Sequence, residues 1–326
     1  MRPAPAGRIY FARLRPAETT FDAALTGILI GSADVIIVAL LALLVVIVSW
    51  RRSAYLRAAK ANLRQRPLND DGIVIGAEGF VLERANAPAV LLLHGAGDTP
   101  QTLRYLADAL HARGFHVSAP LLPGHGRTMQ DFARVRADDL TAASRAHYDD
   151  LRRSHSWLGV IGISMGGALA VQIAAADKDL PALGLVAPYL AMPATIERTA
   201  RLAWLWGPLV PVLRSADGLS VLDPAERDRS LAYGAFTPAA LRALRTTMQR
   251  AVAALPRVVA PTLMIQSRED NRIRVVDAER AFALLGAREK RLQWIAGAAH
   301  VITVDYGRDV VIASLTSWME SRAFSQ

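Results

Sequence analysis

The chain of 326 residues has no cysteine. It can therefore form neither a disulfide framework nor a thiolate-ligated metal site. It has no internal repeat and no low-complexity tract, which excludes solenoids and repeat arrays. Between Val35 and Val48 there is no polar residue, whereas the core helix of a soluble protein keeps a polar stripe. Residues 51–66 hold Arg51, Arg52, Arg57, Lys60, Arg64 and Arg66 and no acid. The formal net charge of +9 is concentrated there, beside the apolar segment, and residues 67–326 are nearly balanced. A nucleic-acid footprint spreads over a folded face instead, so no nucleic-acid partner is expected.

What is present begins with that apolar segment. Ile28 to Val48 is mostly apolar and would cover about 31 Å as a helix, enough to cross a hydrocarbon core. Trp50 and an arginine pair follow as interface anchors. A cleaved signal peptide fits less well, because Arg51 and Arg52 stand where a small-residue cleavage site is wanted. The expected organisation is a tail over 1–27, a transmembrane anchor over 28–49 and a basic juxtamembrane linker over 50–71. Gly27 and Gly31 offer one helix-packing pair. Asp34 is an acid in the first third of the span, where its charge is costly unless it lies near the headgroups. The linker reads as a basic helix ended by Pro67, either solvated or lying on anionic headgroups. Arg13 and Arg15 precede the span and six basic residues follow it, which places the C-terminal region on the cytoplasmic face.

From residue 72 to 326 strand-like and helix-like runs alternate, as in a parallel sheet covered by helices on both faces. "GIVIGAEGFVLE" reads as two opening strands. "AVLLLHG", "FHVSAPLL", "WLGVIGI", "ALGLVAPY", "PTLMIQ" and "RLQWIAGAAH" continue the sheet. Residues 188–256 break this rhythm and read as a cap carrying Trp204 and Trp206.

Gly162-Ile163-Ser164-Met165-Gly166 fits G-x-S-x-G. A strand delivers the serine and a helix leaves it. Small residues at 162, 166, 167 and 168 permit the sharp turn between them. A serine nucleophile needs a base and an orienting acid. His300, in "GAAHVITVD" after the last strand, is the expected base, and Asp270, in "QSRED", the expected acid. Glu269 and Asp277 compete with Asp270. The backbone N–H groups of Met165 and Ala96 are the expected oxyanion donors, and His94 is expected to brace the loop that carries Ala96.

"VLLLHGAGDTPQTLRYLADALHARGFHVSAPLLPGHGRT", "GISMGG", "IQSRED" and "HVITVD" together resemble the α/β-hydrolase superfamily. Within it they resemble bacterial carboxylesterases and monoacylglycerol lipases, over about residues 72–320. The resemblance implies a mostly parallel eight-stranded sheet with a short helical cap. It carries nucleophile, acid and base to Ser164, Asp270 and His300, and the oxyanion donors to Ala96 and Met165. Alanine stands at 96 where such relatives often have phenylalanine. The implied activity is hydrolysis of carboxylic esters with an apolar acyl chain, without metal or organic cofactor. The N-terminal span lies outside the resemblance; with it the chain reads as a single-pass membrane protein whose partners are a small ester or lipid substrate and membrane lipid. Trp204 and Trp206 are candidates to bind the acyl chain. An amide, thioester or lactone hydrolase shares the same motifs. A non-catalytic ligand-binding membrane protein is the rival from another class.

Overall fold

The computed structural model describes residues 34–55, 57, 66–214 and 220–324, in two compact units divided between Arg52 and Ser53. In the first unit the described chain is helical. Helix α1 (Asp34–Tyr55) has 22 residues, an 18-residue stretch of it has a mean hydropathy of 2.4, and it is long and apolar enough to cross a membrane. Asp34 is its first described residue. The expected tail, the Gly27–Gly31 pair and the start of the span lie outside the described residues, as does most of the linker helix.

The second unit is built on a sheet. Its strands are β1 (Phe80–Leu82), β2 (Ala89–Leu93), β3 (His116–Ala119), β4 (Leu158–Ile163) and β5 (Leu183–Val186), followed after an insertion by β8 (Thr262–Ser267) and β9 (Lys290–Ile295). The spatial order is β1-β3-β2-β4-β5-β8-β9. Every pairing is parallel except β1 with β3. Strands β2, β4, β5 and β8 are buried at every residue. This is why they read as continuous apolar runs without alternation.

Among the described residues the sheet has seven strands, one fewer than expected. Only Phe80–Leu82 of "GIVIGAEGFVLE" joins it. The earlier half is held by a lone bridge between Leu68 and Val74 and turns back on itself, with Ala77 N–H donating to Val74 O. Gly76 has φ +88°, which no extended strand residue adopts. The turn takes the residues an eighth strand would need.

Helices cover both faces. On one lie α2 (Arg104–Ala112) and α11 (Arg308–Ala323), whose Leu106, Leu110, Val311, Leu315 and Met319 pack with Val90, Leu92, Ile161 and Ile265 of the sheet. On the other, beyond the one-turn α3 (Met129–Phe132), lie α4 (Ala137–Ser154), α5 (Met165–Ala176) and α10 (Val275–Leu284). The insertion between β5 and β8 divides in two. Its first part holds α6 (Ala194–Arg201), α7 (Ala203–Trp206), β6 (Leu213–Arg214), α8 (Pro224–Arg229) and β7 (Ala235–Phe236), with β6 and β7 antiparallel. Its last part is α9 (Pro238–Ala254), capped by Thr237 Oγ1 on Ala240 N–H at 3.2 Å. Helix α9 packs on α4 and α5 and buries Leu241, Leu244 and Met248, each worth about 1.5–3 kcal/mol. The end of the 188–256 stretch therefore packs onto the helices on that face of the sheet.

Candidate active site

Ser164 sits between β4 and α5 with φ 52° and ψ −117°. A non-glycine residue there costs about 1–3 kcal/mol and persists only where its surroundings fix it. They do so here through the main chain. Ser164 N–H donates to Val186 O at 3.0 Å, and Ser164 O accepts from Tyr189 N–H at 2.9 Å and Ala168 N–H at 3.2 Å. The flanking glycines make the turn possible. A Cβ on Gly162 would lie 2.2 Å from Gly166 O, and one on Gly166 would lie 2.1 Å from Leu93 O. The α5 N-terminus starts at the serine, so the N–H of Met165 belongs to the first turn, which has no intrahelical acceptor.

His300, in the loop after β9, places Nε2 2.8 Å from Ser164 Oγ. Its Nδ1 lies 2.9 Å and 3.0 Å from the two oxygens of Asp270. A carboxylate only accepts, so Nδ1 carries the proton and Nε2 accepts from the serine hydroxyl. Asp270 follows β8 and is fixed by its own turn. Its Oδ1 accepts from Arg272 N–H at 2.7 Å and Ile273 N–H at 3.0 Å, and its Oδ2 from Gln266 Nε2 at 2.6 Å. Burial pushes the carboxyl up, but His300 and the two backbone N–H bonds outweigh it and hold it below the ordinary range. The competing acids point elsewhere. Glu269 accepts from Gly297 N–H at 3.1 Å and Ser267 Oγ at 3.3 Å, and Asp277 pairs with Arg274.

The loop after β2 brings Ala96 to the same place. A Cβ on Gly95 would stand 3.3 Å from Ser164 Cβ, so the main chain beside Ala96 passes directly against the serine. His94 braces this loop from inside. Its Nδ1 bonds Gly95 O at 2.9 Å, and its Nε2 accepts Leu122 N–H at 3.0 Å. His125 packs edge-on to it, ring centroids 5.1 Å apart. Burial pulls the His94 imidazole down to about 3, with His125 adding to the effect, and burial pulls His125 down to about 4. The folded state therefore refuses protons that the unfolded chain takes up below about pH 6.5. Stability is full above that pH and falls as pH drops from about 6.5 towards 4. His94 alone accounts for about 2–3 kcal/mol between pH 7 and 4.5. Asp98, raised to about 6 mainly by burial, offsets part of this loss. Thermal unfolding across pH 4.5–7.5 is expected to show the fall. A His94→Gln variant, less stable at pH 7, is expected to show a shallower one. An unchanged slope in that variant would assign the acid lability elsewhere.

The two cap tryptophans face different surroundings. Trp204 is 68% exposed, whereas Trp206 is half-buried with its indole N–H on Thr199 O at 2.8 Å. Sequence reasoning passed over several neighbours of the site. Tyr189 lies edge-on to His300 at 6.5 Å between ring centroids. Gln266 holds Asp270, and Asp98 is buried with Oδ2 accepting Thr102 Oγ1 at 2.8 Å. A polar residue closing an apolar strand, such as Gln266, was the one available signal.

Sheet order, strained serine turn and the order of serine, acid and histidine along the chain together define an α/β-hydrolase. Residues 84–306 match the family described as serine aminopeptidase, S33, and the chain belongs to that family. It is 30% identical over 241 residues to a thermostable monoacylglycerol lipase of Bacillus sp. (strain H-257), covering 74% of this chain and 93% of that one. To a carboxylesterase of Bacillus subtilis (strain 168) it is 24% identical, over 71% and 92% of the two chains. Among solved structures it superposes, with a TM-score of 0.71 and 28% identity, on one described with the metagenome-derived lipolytic enzymes LipS and LipT, over 76% and 99% of the two chains. The chain is thus a lipase- and esterase-like hydrolase.

Proposed function

We propose that the protein is a membrane-anchored serine hydrolase that cleaves carboxylic esters with an apolar acyl chain. The observation carrying this reading is the 2.8 Å contact between Ser164 Oγ and His300 Nε2, with Nδ1 held by Asp270. Ser164 Oγ attacks the ester carbonyl while His300 takes its proton. The N–H groups of Ala96 and Met165 stabilise the oxyanion. His300 then protonates the departing alcohol, which leaves an acyl-serine. Water, deprotonated by His300, attacks that carbonyl, and the serine leaves with the proton returned. Asp270 holds the imidazole tautomer and stabilises the imidazolium in both halves. The exposed Trp204, Leu205 and Leu209 of the cap supply apolar surface for an acyl chain. The relatives named as a lipase and an esterase favour esters over amides, thioesters or lactones.

Helix α1 is the anchor in this reading. The arginine pair at its end and the basic run that follows support a catalytic unit on the cytoplasmic side. Two measurements test the proposal. A fluorophosphonate probe is expected to label Ser164 stoichiometrically, and p-nitrophenyl esters of graded length to be hydrolysed faster beyond acetate. Folded protein that neither labels nor hydrolyses would leave the ligand-binding alternative. Alkaline phosphatase fused after Gln326 is expected to be inactive, and an active fusion would reverse the orientation.

A further inference from the structure

Asp305 is 1% exposed, and the hydrogen bonds to its carboxylate come from backbone N–H groups of two segments. Oδ2 accepts from Ala299 N–H at 2.7 Å. Oδ1 accepts from Leu222 N–H, Asp223 N–H and Tyr306 N–H, each at 2.9 Å. The residue next to the base on one side, Ala299, is thereby tied to the cap return at 222–223. The residue on the other side, Val301, donates its N–H to Ser220 O at 2.9 Å. His300 thus sits between two main-chain ties to one segment, 220–223. Eleven residues or so further on, that return reaches the opposite wall of the site, where Tyr233 N–H donates to Gly97 O at 2.8 Å, in the loop of Ala96.

We propose that Asp305 is a positioning residue for His300, and that it couples the placement of the cap return to the reach of Nε2 towards Ser164. This rests on the reading of His300 as the base. Two charged oxygens, each facing a different segment, are what the bridge requires. Charge-assisted bonds to N–H groups are about twice as strong as neutral ones. An asparagine has one acceptor oxygen and presents an NH2 to donors on the other side, so it cannot hold both segments. A base displaced by about 1 Å loses on the order of 10²-fold in rate, and a half-released loop should cost somewhat less.

The test compares Asp305→Asn with Asp223→Ala in the full-length protein. Asp223 caps α8 through Oδ1 on Ala225 N–H at 3.0 Å, so its loss loosens the same return while leaving the Asp305–Ala299 bond in place. With Asp305→Asn, kcat for a p-nitrophenyl ester and the rate constant for fluorophosphonate labelling are expected to fall together by about 10–100-fold, KM staying within threefold. Asp223→Ala is expected to lower the melting temperature and to lower kcat by a smaller factor, about two- to fivefold, because the return is loosened while the Asp305–Ala299 bond still holds one side of His300. If Asp305→Asn lowers the melting temperature but keeps kcat within twofold, Asp305 is a structural staple and the proposal falls alone. If Ser164→Ala retains turnover, the reading of the site fails and this proposal with it. Should the asparagine variant not fold, Asp305→Ser, with one short acceptor, carries the same criteria.

Discussion

Replacing Ser164 with alanine is expected to lower ester turnover by about 10⁶-fold and to leave the melting temperature within a few degrees. The size follows from removing the nucleophile of a unit whose members act together; what remains is catalysis by oxyanion donors and binding. The small effect on stability follows from how the residue is held. Its N–H and its C=O make the bonds that fix the strained turn, and alanine keeps both. The one side-chain bond lost is that to His300 Nε2. Turnover of a p-nitrophenyl ester, thermal unfolding and mass spectrometry of the intact protein after exposure to a fluorophosphonate check this together. An alanine variant that still carries a covalent adduct at the wild-type rate would move the nucleophile to another residue.

What could be read in the sequence depended on whether one segment or several set the feature. The buried strands β2, β4, β5 and β8 announce themselves because burial on both faces imposes an unbroken apolar run. The serine turn does so because two backbones pass so closely at Gly162 and Gly166 that no side chain fits. His300 could be singled out because it lies in the loop after the last strand and follows the serine and the acid in chain order. Features made by two distant segments were not legible. The lone bridge that replaces an eighth strand depends on Val74 N–H bonding Gly126 O. Nothing in "GIVIGAEG" encodes that partner. Residues 188–256 could be read as an interruption of the sheet pattern, but that their last helix, α9, packs on α4 and α5 is set by those distant elements. Asp305 stood in plain view in "HVITVD", yet its partners at 222 and 223 come from a return loop some eighty residues earlier. The same limit applied to the acid. Glu269 stands next to the expected acid in the same loop and remains its competitor in the sequence, and the turn that sends Arg272 and Ile273 N–H to Asp270 Oδ1 separates the two.

That turn also fixes what substitution of the acid should do. In Asp270→Asn, the two N–H groups of Arg272 and Ile273 hold the amide oxygen at the Oδ1 position. The NH2 then takes the place of Oδ2, where the Gln266 amide already donates and where His300 Nδ1 has its 2.9 Å contact. Facing a donor, Nδ1 must give up its proton, and the imidazole adopts the other tautomer with hydrogen on Nε2. That nitrogen can no longer accept from Ser164. Turnover is expected to fall by on the order of 10³–10⁴ with KM little changed, because what is lost is proton transfer while the binding surface stays intact. Glu269→Gln meets different constraints. Its acceptors serve Gly297 N–H and Ser267 Oγ, which a glutamine oxygen also serves, and its carboxylate has no contact with His300. Its kcat is expected to stay within about threefold of wild type, since an exposed loop substitution away from the reacting atoms changes little. Steady-state kinetics of both variants on one ester, with melting temperatures to show that each is folded, decide the matter. A glutamine variant that loses more activity than the asparagine variant would make Glu269 the acid.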